Sequence, residues 1–462
     1  MIADRDRLTT TTAHEVALSC VEAGIEAAIP EQVLRESLSV EGDVLTVADS
    51  EYDLAAYDSV VVLGGGKAAD VVARELEDHL GGYIDRGLVV STKPVETDTV
   101  ETVAGSHPIP DADSREGARR IFQRAQGLGE GTLVLAPITG GGSALLALPA
   151  GKITLVDLQT TTEELVESGA SIEEINAVRK HCSTIKGGGL ARAAAPATVV
   201  GLLFSDVVGD DPGVIASGPT APDETTYEDA LEILDRYEVA VPADVREHLE
   251  VGAAGERAET PADPGVLSHV DNHVLADAWT ALAAARDVAA EAGYEPLVLS
   301  SRVRGEAREA AKTHAAVAEQ CRAVGEPVEP PAVVLAAGEV TVTLGDDPGR
   351  GGPNEEFALS AAVELADAGA AGDGVVVASV DTDGIDGATD AAGALIDDRL
   401  VGDGPERALS RDAAAAALDA HDAHPALDEA GALLRTGPTG TNVNDLRVSV
   451  IPAGESRSEG TK

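Results

Sequence analysis

Lys67 stands directly after three glycines, in VVVLGGGKAAD over 60–70, where an apolar run gives way to a helical pattern. A lysine there aims its ammonium at whatever anion the helix start attracts, because first-turn N–H groups have no intrahelical partners. Positive charge at that end is otherwise unfavourable, so a catalytic part is the stronger reading and a solvated first-turn lysine the plainer alternative. The spacing is not a Walker A loop, since Val61 and Ala68 occupy the places of its first glycine and of its Ser or Thr. Gly64, Gly66 and Ala69 do satisfy G-x-G-x-x-A after a strand, which keeps a dinucleotide fold as a rival.

A second loop of this kind follows TLVLAPI, where Gly140, Gly141, Gly142 and Ser143 could wrap phosphates with successive N–H groups and a hydroxyl. Gly64, Gly65 and Gly66 are candidates for the same close approach of backbone to ligand. In SDVVGDDP, Asp206 ends a third apolar run, where a carboxylate can hold Mg²⁺, while Asp210 and Asp211 read as turn formers. NAVRKHCSTIKGGGL over 176–190 gathers Arg179, Lys180 and Lys186 in an acidic chain. Such cations suit a carboxylate or phosphate, or else pair with local glutamates. His107 in GSHPIPD and His181 read as structural and stay outside the acid–base roles.

The second half adds VDTDGIDGATDAAG, with Asp381, Asp383, Asp386 and Asp390, which has oxygen ligands but not the EF-hand pattern. TGPTGTNVNDL over 436–446, containing Asn442, would shape a polar site before the last strand. GRGGPNEE over 349–356 supplies Arg350 and Asn354.

These loops need rigid elements to converge. Strands are expected at 44–47, 59–63, 87–91, 132–136 and 198–204, and helices at 13–28, 68–80, 154–168, 171–182 and 227–237, with Ser171 and Glu174 spaced as a capping box. That βαβ rhythm favours a parallel sheet, whose strand ends open into a shared crevice. Between 239 and 269 periodicity fades into Pro, Gly, Ala and Glu, which marks the expected domain boundary. Beyond it, helices at 276–292, 305–323 and 355–368 alternate with strands at 295–299, 332–336, 340–344, 375–379 and 448–452.

Length and composition agree with two domains: 462 residues, 44% hydrophobic, with only 2% aromatics, so the cores must be aliphatic. No run approaches the roughly 18–20 apolar residues of a membrane span, and the first residues lack a secretory signal, so a soluble cytoplasmic protein is expected. Three scattered cysteines, Cys20, Cys182 and Cys321, suit reduced core thiols. The net charge of −48 favours a halophile's cytoplasm, where molar salt screens self-repulsion over about 3 Å, and disfavours nucleic acid as a partner.

In order along the chain, GGGKAA, GSHPIPD, TGGGSALL, NAVRKHCSTIKGG, SDVVGDDPGVIASGPT, GGPNEEFAL, TDGIDGATDAAGA and TGPTGTNVNDLR resemble the class II glycerate kinases, whose carboxyl half carries the MOFRL domain. The resemblance runs from about 13 to 452. It implies a Rossmann-like three-layer α/β/α amino-terminal domain over 1–250 and a second α/β domain over 265–462, with the MOFRL region at about 332–452 and the active site in the cleft. It also implies ATP-dependent phosphorylation of D-glycerate, with Mg²⁺, to 2-phosphoglycerate, and no partner beyond the small molecules except a possible homodimer.

Lys67 falls on the family's catalytic lysine. The family's second catalytic cation lies in GGRNQE, where this chain has Pro353; Arg350, three residues earlier, is the candidate replacement. Two rival readings stay open: a nicotinamide-dependent hydroxypyruvate reductase, from the glycine pattern, and a regulator with a dead site, from Pro353.

Overall fold

Six strands form one sheet, and all of its pairings are parallel: β1 (Ser59–Gly65), β2 (Ile84–Ser91), β3 (Val100–Ala104), β4 (Thr132–Ile138), β5 (Thr198–Phe204) and β6 (Val270–Ala276). These are read from a computed structural model that describes residues 1–345 and 348–454. The strand order is β3-β2-β1-β4-β5-β6, that of a doubly wound nucleotide-binding sheet. Continuous Val, Leu and Ile runs suit such a sheet because both faces are covered: every residue of β4 is buried. On one face Val61, Leu63, Leu88, Val90 and Val134 pack with Ala118, Ile121 and Ala125 of the Ala112–Ala125 helix. A small antiparallel ribbon (Leu38–Glu41, Val44–Val47, Ser50–Asp53) is separate from that sheet.

The second sheet is mixed. It comprises β7 (Glu295–Glu306), β8 (Ala332–Thr341), β9 (Val376–Asp381), β10 (Gly393–Asp397), β11 (Leu433–Leu434) and β12 (Asp445–Ile451), in the order β7-β8-β12-β9-β10-β11. Only β7 and β8 pair in parallel. Its faces are both buried. Val334, Val377 and Ile396 pack under the Ala307–Val324 and Pro353–Asp367 helices, while Val333, Leu335, Val448 and Val450 pack under Thr12–Ala27 and Ala278–Glu291.

The first helix therefore belongs with the second sheet. The compact units are Pro30–Ala276 on one side, and Met1–Ile29 with Asp277–Lys462 on the other. This differs from the expected division at 1–250 and 265–462. Gly24 explains the helix's place: a Cβ there would lie 2.5 Å from Leu446 Cδ2 and 3.0 Å from the Ala281 carbonyl, a close approach that only glycine permits. The expected linker at 239–269 instead holds a helix, Ala243–Val251, and leads into β6. Strand β6 escapes periodicity because it is an edge strand, only partly buried and carrying Asp271, Asn272 and His273. The two apolar runs expected at 332–336 and 340–344 are largely one strand, β8, continuing through Gly338. No helix among the described residues is long and apolar enough to cross a membrane.

Candidate active site

The strand order reverses between β1 and β4, and at such a switch point the loops leaving the two strands open a crevice. The loop after β1 carries Lys67 and the loop after β4 carries Gly140 to Ser143, so these two motifs, 73 residues apart from Lys67 to Gly140, meet because of strand order. They are hydrogen-bonded to each other: Lys67 N donates to the Gly140 carbonyl at 2.8 Å, Thr139 N to Gly65 O at 3.3 Å, and Ala68 N to Thr139 Oγ1 at 3.1 Å.

The six glycines divide into two kinds. A Cβ on Gly64 would lie 2.0 Å from Pro137 O, on Gly65 2.8 Å from Leu146 Cδ2, and on Gly66 2.1 Å from Thr139 Oγ1. The chain itself fills the space beside all three, so that they let β1 and its turn close against Pro137, Leu146 and Thr139. The 140s turn faces the side chains of the site instead. A Cβ at Gly140 would sit 2.3 Å from Asp206 Oδ2, and one at Gly141 would sit 2.9 Å from both Lys67 Cγ and His107 Cδ2. Gly142 makes room for Ala216, which with Ser217 adopts positive φ (51° and 61°). Two adjacent non-glycine residues in that region hold strain of about 1–3 kcal/mol each, a feature usual at ligand sites. The amides of Gly140, Gly141 and Ser143 donate to no backbone carbonyl among the described residues.

Arg179 and Lys186 approach the same turn. Arg179 lies in the last turn of the Ile172–His181 helix, and Lys186, 2% exposed, donates from Nζ to the Ser143 carbonyl at 2.8 Å. Ser143 Oγ is bonded to Ser217 Oγ at 2.9 Å, and Ser217 Oγ donates to Asn176 Oδ1 at 3.0 Å. Burial lowers the Arg179 pKa, and burial together with the Arg179 charge pushes Lys186 down to about 7. Lys180, the third cation of the cluster, is different: it pairs with the buried Asp223 at 3.1 Å and is structural. A cavity of about 200 Å³ opens here, lined among others by His107, Ser143, Leu158, Thr162, Arg179 and Lys186. A wider groove of about 940 Å³ is mainly acidic, with Glu77, Asp78, Glu96, Asp98 and Glu101 against the single cation Arg74.

His107 and Ser217 are the residues that sequence reading missed. His107 follows β3 as Lys67 follows β1, and that position at a strand's carboxyl end was the available signal. Asp211 is the expected turn former, accepting from Gly213 N at 2.7 Å.

In the other unit the candidates Arg350, Asn354, Asp383 and Asn442 have mostly structural partners. Pro353 opens the Pro353–Asp367 helix in the first turn, a position that tolerates its missing N–H. Asp386, 1% exposed, caps that helix by accepting from Asn354 N at 3.0 Å and Glu355 N at 2.7 Å. Burial raises its pKa, opposed by those two bonds. Asn354 is 1% exposed, with its amide bonded to Asp386 and Asp445 and its oxygen accepting from Ser379. Asp383 accepts from Ile385 N and Asn442 from Asn444 N, both local turn bonds. Arg350 is half-exposed and bonds Asp390 at 3.0 Å, which His424 and Arg435 also approach. Among the described residues no group of three or more His, Cys, Asp or Glu is set to hold a metal, so the 381–390 loop is not the expected metal candidate.

Known proteins share this sequence over its length. A domain of unknown function, DUF4147, matches residues 16–250, and the MOFRL family matches residues 332–445. The glycerate 2-kinase of Pyrococcus horikoshii is 37% identical over 96% of this chain and 99% of its own. The D-glycerate 2-kinase of Thermotoga maritima is 36% identical over 95% of this chain and 98% of its own. The chain belongs to the MOFRL-domain glycerate kinase family. A relative from Agrobacterium vitis, provisionally named a hydroxypyruvate reductase, is 45% identical over 85% of this chain and 87% of its own. Among solved structures, a Thermotoga maritima glycerate kinase superposes with a TM-score of 0.79 at 35% identity, covering 95% of this chain and 99% of that one. A Pyrococcus horikoshii protein gives a TM-score of 0.80 at 36% identity, covering 98% and 100%.

Proposed function

We propose that the chain transfers the terminal phosphoryl group of ATP to the 2-hydroxyl of D-glycerate, giving 2-phosphoglycerate and ADP. One observation carries this reading: in a chain of net charge −48, the half-buried Arg179 and the buried Lys186 line one cavity, which adjoins the glycine turn that also meets Lys67. Cations drawn out of water without an opposite charge are costly, and an anionic ligand would offset that cost. The glycerate carboxylate suits these two cations. The amides of Gly140, Gly141 and Ser143, with the Lys67 ammonium, suit the transferring phosphoryl group, where catalysis depends on positioning and charge neutralisation. Asp206 lies against Gly140 and would hold Mg²⁺, which supplies charge neutralisation at the phosphates; one carboxylate plus phosphate oxygens and water is its usual protein site. Arg350 is assigned the part of the arginine replaced by Pro353, without which the dead-site reading would gain ground.

The reductase reading has the strand order and the names of two relatives in its favour. Against it, the amides of Lys67 and Ala68 at the first helix start are taken by Gly140 O and Thr139 Oγ1, and β2 ends in Val89-Val90-Ser91, with Thr92 next, without the carboxylate that holds an NAD ribose. The high acidic charge supports a cytoplasm of concentrated salt, and the three buried free thiols support a reducing one. The same charge speaks against nucleic acid, and neither a membrane nor a protein partner is required, though a homodimer is compatible.

The decisive assay incubates the protein with ATP, Mg²⁺ and D-glycerate in concentrated KCl and identifies the product by phosphorus NMR. ADP with 2-phosphoglycerate is expected. Oxidation of NADH by hydroxypyruvate without ADP formation would overturn the reading in favour of the reductase, and glycerate binding without turnover would favour the regulator.

A further inference from the structure

We infer that His107 accepts the proton of the hydroxyl that is phosphorylated, an assignment that rests on the kinase reading. The Cδ2–Nε2 edge of its ring lies over Gly141: a Cβ there would be 2.9 Å from Cδ2 and 3.3 Å from Nε2, and 2.9 Å from Lys67 Cγ on the other side. The imidazole and the lysine stem thus flank one glycine of the phosphate-facing turn. The same histidine lines the cavity that holds Arg179 and Lys186. An acid anchored on those cations and a phosphoryl group on the turn must bring the acceptor hydroxyl between them, and His107 borders both.

The loop that carries His107 is held from two directions. Ser106 N donates to Ser114 Oγ at 2.9 Å, and Gln159 Nε2, from the Leu155–Glu167 helix, donates to the Pro110 carbonyl at 2.6 Å. The ring therefore sits on a loop pinned before and after it. Other groups near the cavity are worse placed for the proton. Arg179 is not a base in proteins, and Lys186 gives a hydrogen bond to Ser143 O and is charged when it pairs with a carboxylate. Asp206 lies against Gly140 and is not among the residues lining the cavity. Lys67 shares Gly141 with His107, Arg179 and Lys186 line the same cavity, and on its own loop the Asp111 carboxylate caps the Ala112–Ala125 helix.

The step balances as follows. The acceptor O–H bond breaks as oxygen bonds the γ-phosphorus, and the bond from that phosphorus to the β,γ-bridging oxygen breaks with its electron pair leaving on ADP. The proton passes to Nε2 of His107 and then to solvent.

The test compares wild type with His107→Asn and His107→Ala in the full chain, measuring kcat, glycerate KM and the pH profile of kcat under saturating ATP and Mg²⁺. Thermal melts accompany each variant, and His107 is exposed, so folding should persist. The expected result is a fall in kcat of about 10²-fold with KM nearly unchanged, loss of the acid limb of the kcat profile, and partial rescue of His107→Ala by added imidazole. A variant with kcat within threefold of wild type, or with its loss confined to KM, overturns the inference and leaves the kinase intact. A wild type that forms no ADP overturns both.

Discussion

The chemistry proposed rests on a few side chains whose charge is set by burial. Lys186 is pushed down to about 7, with burial the leading cause and Arg179 the second. Only its protonated form attracts a carboxylate, so kcat/KM for glycerate should fall as pH rises above about 7, and Lys186→Arg, which stays charged, should remove that limb. A flat profile from pH 6 to 9 in wild type would remove Lys186 from acid binding. The folding sign is the reverse: with a depressed pKa, this lysine makes stability rise with pH from about 7 toward the ordinary lysine value. Lys67→Ala should cost kcat about 10²–10³-fold under saturating substrates, as removal of a charge-stabilising donor does; full turnover would contradict its role. Gly140→Ala tests a subtler point. Its Cβ would meet Asp206 Oδ2 at 2.3 Å, so the carboxylate must move, and the Mg²⁺ concentration for half-maximal rate should rise at least tenfold.

At the scale of elements, what matters is how helix starts are satisfied. The helix after β1 gives its first amides to the neighbouring strand's turn, whereas the Pro353–Asp367 helix has a buried carboxylate cap in Asp386. Next to that cap Glu355 is fully buried, and burial pushes its pKa up to about 8. Its Oε1 lies 2.8 Å from His424 Nδ1, and His424 Nε2 lies 3.2 Å from Asp390. With His424 held neutral by burial, a protonated Glu355 donates to Nδ1 and Nε2–H donates to Asp390. Because the folded pKa is raised, the folded state keeps a proton that the unfolded chain loses, and stability falls as pH climbs from the ordinary carboxyl range to about 8. Glu355→Gln keeps the shape without the titration, so its Tm should drop less than that of wild type between pH 6 and 8. Equal drops would assign the slope to other groups.

For the molecule as a whole, 81 acidic against 33 basic side chains make self-repulsion the dominant long-range term. Salt bridges among exposed arginines, such as Arg119–Glu116 and Arg286–Asp287, offset little of it. Raising KCl from 0.1 to 2 M should therefore raise Tm steadily, since the screening length shrinks from about 10 Å to below 3 Å. A Tm independent of KCl would mean that the acidic surface is not an adaptation to salt.

Much of this was open to reading from the chain. Apolar runs with small or acidic ends located β1, β4 and β5 and their loops, because a strand buried on both faces must be apolar throughout and must stop where it meets a ligand. Capping at Ser171 and the tolerance of Pro353 at a helix start were local and equally readable. Other features depend on who lies beside whom. Strand order set Lys67 beside Gly140, neighbouring carboxylates separated Lys180 from Arg179 and Lys186, and a close helix approach at Gly24 assigned the first helix to the second sheet. His107 reached the cavity by the same route. Residue type and spacing fix local conformation and chemical capacity; partners, burial and the resulting charge state depend on contacts between distant segments, which appear only when the chain is folded.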